Sequence, residues 1–347
     1  LALWMNRMIL LVVPWIPNSL PKNQAPNLKV SSYQSLIRYP YTGKTVLAFL
    51  TTKFPYHSQD EWQYLLDMGR IQVKGNVASA ELVLQEGDSV VYEPIPGRIQ
   101  EPEVDTGYTV LKETEEFLFI DKPGNLPMHP AGRYRTRTLL NLLEEIYPLV
   151  IPVHRLDRET SGIVIFAKSE ESRTWLQKKF EKREVKKEYL AVVRGKFPKP
   201  MFLDGFLGKN IDSAIRKKMK FSLEEFSDSK FVSTELIPLE FSDSQNVSLV
   251  LVRPVTGRIH QIRVSLLYLG YPILGDKLYG PRETMFLDFV QSGLSPSLLE
   301  ELGAERQILH AHSISYLDDR TGEKIKVRSN PLKEIRTFFP NYEDYVP

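Results

Sequence analysis

The feature that most constrains this chain is a series of apolar, β-branched runs separated by loops instead of regularly spaced helices. Phe117 to Ile120, Val153 to Lys168, Glu188 to Gly195, Phe231 to Glu240 and Val247 to Arg253 all read as strands. Parallel neighbours would need a crossover of a dozen or more residues, usually a helix, between successive strands. The short connections here predict an α+β class: a mixed, largely antiparallel sheet with peripheral helices, not a doubly wound one. With 347 residues the chain has room for about two domains.

A smaller unit over residues 33–96 precedes that sheet. Lys44 to Phe54 reads as a helix, and Ser58-Gln59-Asp60-Glu61 forms a capping box ahead of Trp62, Leu65, Leu66 and Met68, with Gly69 as the stop. Arg70 to Lys74 alternates as a strand, Gly75-Asn76 turns it, and Ser89 to Glu93 returns. Residues 97–107, rich in Pro, Gly and acids, are the expected linker, and 108–340 the larger domain. Gly43-Lys44-Thr45 is no phosphate loop, because Arg38 stands where its first Gly should be.

Composition excludes several classes. The absence of cysteine removes disulfides, thiolate metal sites and a cysteine nucleophile, and fits a reducing compartment such as the cytoplasm. Forty-five Lys and Arg against 43 Asp and Glu leave +2, so a nucleic-acid surface must come from local clusters. Arg7 and the run Met8 to Val13 resemble a signal, but Pro14 cuts it short and no cleavage site follows. Neither secretion nor a membrane partner is expected. An opening Leu in place of Met makes residues 1–32 read as a loosely attached or non-native tail.

The chemistry concentrates in His154-Arg155-Leu156-Asp157-Arg158-Glu159, which runs through Thr160-Ser161-Gly162 into the apolar Ile163 to Ala167. An Asp flanked by Arg155 and Arg158 should stay ionised, because a cation within about 4 to 6 Å lowers a carboxylate pKa. That suits a nucleophile; the plain alternative is an Asp capping a turn. Two basic clusters could bind a phosphate backbone. Lys178, Lys179, Lys182 and Arg183 close the helix after Ser169, and Arg216, Lys217 and Lys218 occupy a loop between strands. Part of the first cluster also matches a helix dipole. His310-Ala311-His312 near Asp318 and Asp319 could suggest a metal, which we do not expect.

The string HRLDRETSGIVIFAKS, residues 154–169, resembles the signature of the RluA-type family of RNA pseudouridine synthases. FIDKPGNLPMHPAG (119–132), KKEYLAVVRG (186–195), TGRIHQIRVSLLYLGYPILGDKLYG (256–280) and LHAHSISYLDDRTGE (309–323) resemble its other motifs in order. The first unit resembles an S4-like RNA-binding module, although acidic Asp60 and Glu61 stand where such modules are usually basic. The resemblance implies isomerisation of uridine to pseudouridine in ribosomal or transfer RNA, by a monomer needing no cofactor or metal. Asp157 would be the nucleophile, Tyr189 would stack on the uracil and accept the C5 proton, and Arg263 would pair with Asp157. Arg155 would fill the place of the flipped base, with His154 contacting RNA or supporting the loop. Thr256-Gly257-Arg258 would be the turn that presents a strand bearing Arg263. Two rivals are a catalytically silent RNA-binding protein and an Asp-nucleophile glycosidase, the latter needing a second carboxylate such as Glu159.

Overall fold

The structure, a computed structural model, describes residues 32–54, 57–95, 101–330 and 333–342. The tail expected over residues 1–32 lies outside them except for its last residue, as does part of the expected linker. The chain divides into two compact units, residues 1–102 and 103–347.

In the first unit β1 (Tyr33–Leu36) leads to α1 (Val46–Lys53), which starts where the Thr45 hydroxyl accepts the Ala48 amide. Ser58 and Glu61 close a complete capping box at the start of α2 (Gln59–Asp67), and Gly69 at φ +67° ends it. β2 (Ile71–Val73), β3 (Asn76–Val77) and β4 (Ser89–Tyr92) join β1 in a four-stranded antiparallel sheet ordered β1-β4-β2-β3. The β2–β3 turn is Lys74-Gly75, not Gly75-Asn76. Both residues have positive φ, as a two-residue hairpin of this type requires, and Asn76 already pairs with Val73. Phe49, Leu50, Trp62, Leu66 and Ile71 fill this unit's own core.

The second unit begins with β5 (Thr109–Glu113), β6 (Phe117–Lys122), α3 (Leu139–Glu144), β7 (Ile151–Pro152), β8 (Ser161–Ala167), α4 (Glu170–Glu181) and β9 (Lys186–Arg194). There follow β10 (Met201–Lys209), β11 (Met219–Ser222), β12 (Lys230–Ser242), β13 (Val247–Pro254), α5 (Gln261–Tyr268), α6 (Met285–Ser292) and α7 (Pro296–Leu302). β14 (Leu309–Leu317), β15 (Lys324–Arg328) and α8 (Lys333–Phe338) complete it. Its strands form one eleven-stranded sheet, ordered β11-β10-β12-β13-β9-β14-β8-β6-β5, with β15 on β14 and β7 on β8. The sheet is mixed and largely antiparallel: β14 and β8 run parallel through His310↔Ser161 and Ala311↔Gly162, and the other pairings are antiparallel.

Two expectations fail here. Val153 to Thr160 is a loop and the strand starts at Ser161, because the charged side chains between them cannot share the buried environment that covers all of β8. Arg263 stands on a helix, α5, not on a strand. Gln261 to Leu266 are all buried, so no polar face marks the helical period and the apolar Ile262, Val264 and Leu266 mimic strand alternation. His260, at φ 58°, breaks the extended path just before the helix.

Candidate active site

The loop 153–160 is held from several sides before any charge is considered. His154 Nε2 accepts the Ile165 amide at 3.2 Å, its ring packs on Phe180 at 5.0 Å between centroids, and burial pushes its pKa down to about 3. It is therefore the neutral acceptor that the bond needs. The buried Lys122 ammonium donates to the carbonyl oxygens of Pro123, Leu126 and Arg158 at 2.7, 3.0 and 3.1 Å. Burial and the neighbouring Arg306 lower its pKa to about 7. Gln307 donates to the Thr160 hydroxyl at 2.6 Å, and Arg306 to the Glu159 carbonyl at 3.0 Å.

That loop presents Asp157 to α5. Arg263 Nη1 donates to Asp157 Oδ2 at 2.7 Å, while its Nε and Nη2 donate to Asp276 at 2.6 and 2.8 Å. Asp276 is fully buried and also accepts the amides of Leu278 and Tyr279 at 3.0 and 2.9 Å. One guanidinium thus lies between two carboxylates, with the Tyr279 ring 5.0 Å from its carbon. The Tyr279 hydroxyl accepts the Met219 amide at 2.9 Å and meets His260 Nδ1 at 2.8 Å. Donation from that hydroxyl to Nδ1 leaves the imidazole proton on Nε2, which faces Asp157 Oδ1 at 3.8 Å.

Burial would raise the Asp157 pKa, but the charge and hydrogen bond of Arg263 outweigh it and hold the carboxyl below the usual range. Burial pushes His260 down to about 4, so at neutral pH the imidazole is uncharged and Arg263 carries this effect. Tyr189, on β9, lines the same cleft, and burial followed by the Asp157 charge raises its pKa. The cleft has a volume of about 550 Å³ and is lined by Asp157, Tyr189, His260 and Arg263 together with His154 and Arg155.

The sequence reading misplaced several charges. Of the two flanking arginines, the charge of Arg155 helps lower the Asp157 pKa, whereas Arg158 pairs with Glu159 at 2.8 Å and reaches the Tyr134 hydroxyl. Glu159 is further held by Lys277 at 3.1 Å, which takes it out of use as a second reactive carboxylate. Lys179 is buried against Glu184 and Asp319 at 3.1 and 3.0 Å, and Lys218 is buried against Glu283 at 3.3 Å. Neither presents a free charge to a phosphate. Lys178, Lys182, Arg183 and Arg216 are exposed, as is Arg155. The stem of Lys217 is exposed too, with its ammonium over the Phe286 ring at 3.9 Å. The sequence reading missed Lys122, His260, Asp276 and Tyr279. Only the GDKLYG turn hinted at the last two, and nothing in it named Arg263 as the partner.

His310 is enclosed by the hydroxyls of Ser161 and Ser329 at 3.0 and 3.1 Å, and burial pushes its pKa down to about 3. His312 Nδ1 meets the Ser329 carbonyl at 2.9 Å. Among the described residues no group of three or more His, Asp or Glu is placed to hold a metal ion, and no helix is long and apolar enough to cross a membrane.

Comparison with known proteins places the chain. A family model described as RNA pseudouridylate synthase matches residues 116–268. Ribosomal large subunit pseudouridine synthase D of Xanthomonas campestris is 30% identical over 88% of this chain and 91% of its own length. RNA pseudouridine synthase 7 of rice is 32% identical over 71% of this chain and 62% of its own. The structure of human RNA pseudouridylate synthase domain containing 1 superposes with a TM-score of 0.53 at 26% identity, covering 67% of this chain and 86% of that one. The chain belongs to the RNA pseudouridine synthase family, in its RluA-type branch. It spans less than two thirds of the length of the first curated relatives it matches, 62% and 61% for the plant proteins.

Proposed function

We propose that this chain converts uridine to pseudouridine in ribosomal or transfer RNA. The observation that carries the reading is the ionised Asp157 lining a cleft, paired with a guanidinium that Asp276 also holds. The N-glycosidic bond breaks, the base turns within the cleft, and uracil C5 bonds to the same ribose carbon with loss of the C5 proton. Asp157 attacks ribose C1′ or uracil C6, or assists glycal formation, and each route needs the carboxylate. Arg263 keeps it charged and aimed. Tyr189 offers its ring to the uracil and its hydroxyl to the C5 proton. Burial first, and the Asp157 charge after it, hold that phenol protonated, so the hydroxyl takes up the C5 proton only by passing its own proton on to solvent in the same step.

A stem or loop uridine must be unstacked to enter, at a cost of a few kcal/mol, and we assign Arg155, exposed and lining the cleft, to fill the vacated stack. We read the first unit as an S4-like RNA-binding module, from its helix-helix-hairpin order, and the compartment as the cytoplasm, from the lack of cysteine. Arg263, with its two carboxylates, argues against a glycosidase, because Asp276 is spent on the guanidinium and two amides and cannot activate water.

The test is release of tritium from RNA labelled at uridine C5. Release should proceed in excess EDTA without strand scission, since no phosphate is cleaved, and Asp157→Asn should abolish it with RNA affinity and circular dichroism unchanged. Activity of Asp157→Asn within tenfold of the parent, or strand scission alongside release, would overturn the proposal.

A further inference from the structure

We propose that the end of the cleft beyond Tyr189 is a phosphate site, built on Lys187, that holds the RNA backbone beside the flipped uridine. The proposal rests on the isomerase reading only for the identity of that nucleotide. Lys187 and Tyr189 lie two apart on β9 and both line the cleft. Alternation puts them on one face of the strand, about 7 Å apart. A uracil at Tyr189 therefore leaves its own or a neighbouring phosphodiester within reach of Lys187.

The chemistry of this end selects an anion. The Lys187 ammonium approaches the Thr256 carbonyl at 3.4 Å and the Phe180 ring at 6.0 Å, and a Cβ on Gly257 would sit 3.4 Å from it. Among the described residues it has no carboxylate partner. Burial is what lowers its pKa, to about 8, with no opposing acid. Arg183 and Arg258 line the same cleft, both exposed, and Glu181 is the one carboxylate lining it besides Asp157, which Arg263 already pairs. A half-buried cation without a counterion is costly, and a phosphate oxygen supplies the missing charge while water or Thr256 satisfies the remaining donors. Glycine at 257 leaves the backbone beside the ammonium uncovered, so a phosphate can approach without meeting a side chain.

The probe is an RNA hairpin with a G·C stem and an all-uridine loop, titrated across a range of salt. Lys187→Met should weaken binding about tenfold and lower the slope of log affinity against log salt by roughly one phosphate contact. Lys187→Arg should restore both. Lys186→Met removes the same charge one residue away, off the cleft, and should change neither by a comparable amount. Replacing loop phosphates one at a time by methylphosphonate should reveal one position whose penalty in the parent disappears in Lys187→Met. Equal losses for the Lys186 and Lys187 variants, a phosphonate penalty unchanged by Lys187→Met at every position, or no binding of the hairpin by the parent at low salt would each overturn the site. Binding is read apart from tritium release, so a parent that binds the hairpin with these signatures but releases no tritium would sink the isomerase reading and leave the phosphate site standing.

Discussion

Arg263 holds one positive charge between two carboxylates, and the three groups set one another's protonation. Burial alone would lower the Arg263 pKa, but Asp276 and then Asp157 raise it, while Arg263 keeps both acids low despite their burial. Arg263→Gln should therefore raise the Asp157 pKa, because burial is then opposed by less positive charge. A carboxylate with a depressed pKa is lost only as pH falls through that value. The acid limb of kcat/KM should move to higher pH in the variant, with the neutral-pH rate down on the order of a hundredfold. A full pH profile of tritium release checks both, and an unmoved acid limb would show that Asp157 is not governed by this pair. Tyr189→Phe separates stacking from proton transfer: binding should survive and the conversion stall before C5 proton loss. Full activity in Tyr189→Phe, measured by the same release, would leave Tyr189 a packing residue.

The site exists because several elements meet at one seam of the sheet. β8 and β14 pair in register at only two positions, and a Cβ on Gly162 would lie 2.3 Å from the Ala311 carbonyl oxygen, at φ +102°. Gly162→Ala should thus cost at least about 2 kcal/mol, from backbone conformation and overpacking together, and lower the thermal midpoint of the second unit. Calorimetry of the purified variant would show it; an unchanged midpoint would mean the seam relaxes freely. Such seams explain what the sequence could and could not disclose. The capping box at Ser58 depends on residues three apart and was legible, as were the apolar runs of β12 and β13. α5 was hidden because burial on all sides erases the helical period. The pairing of Asp157 with Arg263 spans 106 residues, so no local rule fixes it, and it was legible only through the family resemblance. Lys179 and Lys218 read as surface charge because Asp319 and Glu283, which pair with them, are remote in sequence, even though Lys179 also meets the nearby Glu184.

At the scale of the whole molecule the two units divide the work in a way that can be tested. Every residue lining the cleft lies between Val153 and Leu309, and the second unit has apolar clusters of its own around Val193, Ile165, Val164 and Leu251. The first unit closes a separate core around Trp62 and Phe49. A chain of residues 103–347 should then fold and release tritium at the parental kcat. Its KM for structured RNA should rise about tenfold, equivalent to about 1.4 kcal/mol of binding, if the first unit holds RNA. The charge available there is modest, because Lys74 is tied to Asp88 at 2.7 Å and the ammonium groups of Lys44 and Lys53 both lie over the Tyr41 ring. A stacking and shape contribution is therefore expected more than a salt-sensitive one, and the salt slope of RNA binding should change little on truncation. A truncated protein with native circular dichroism but no turnover at saturating RNA would mean the first unit completes the catalytic machinery. An unchanged KM would remove the RNA-binding role assigned to it.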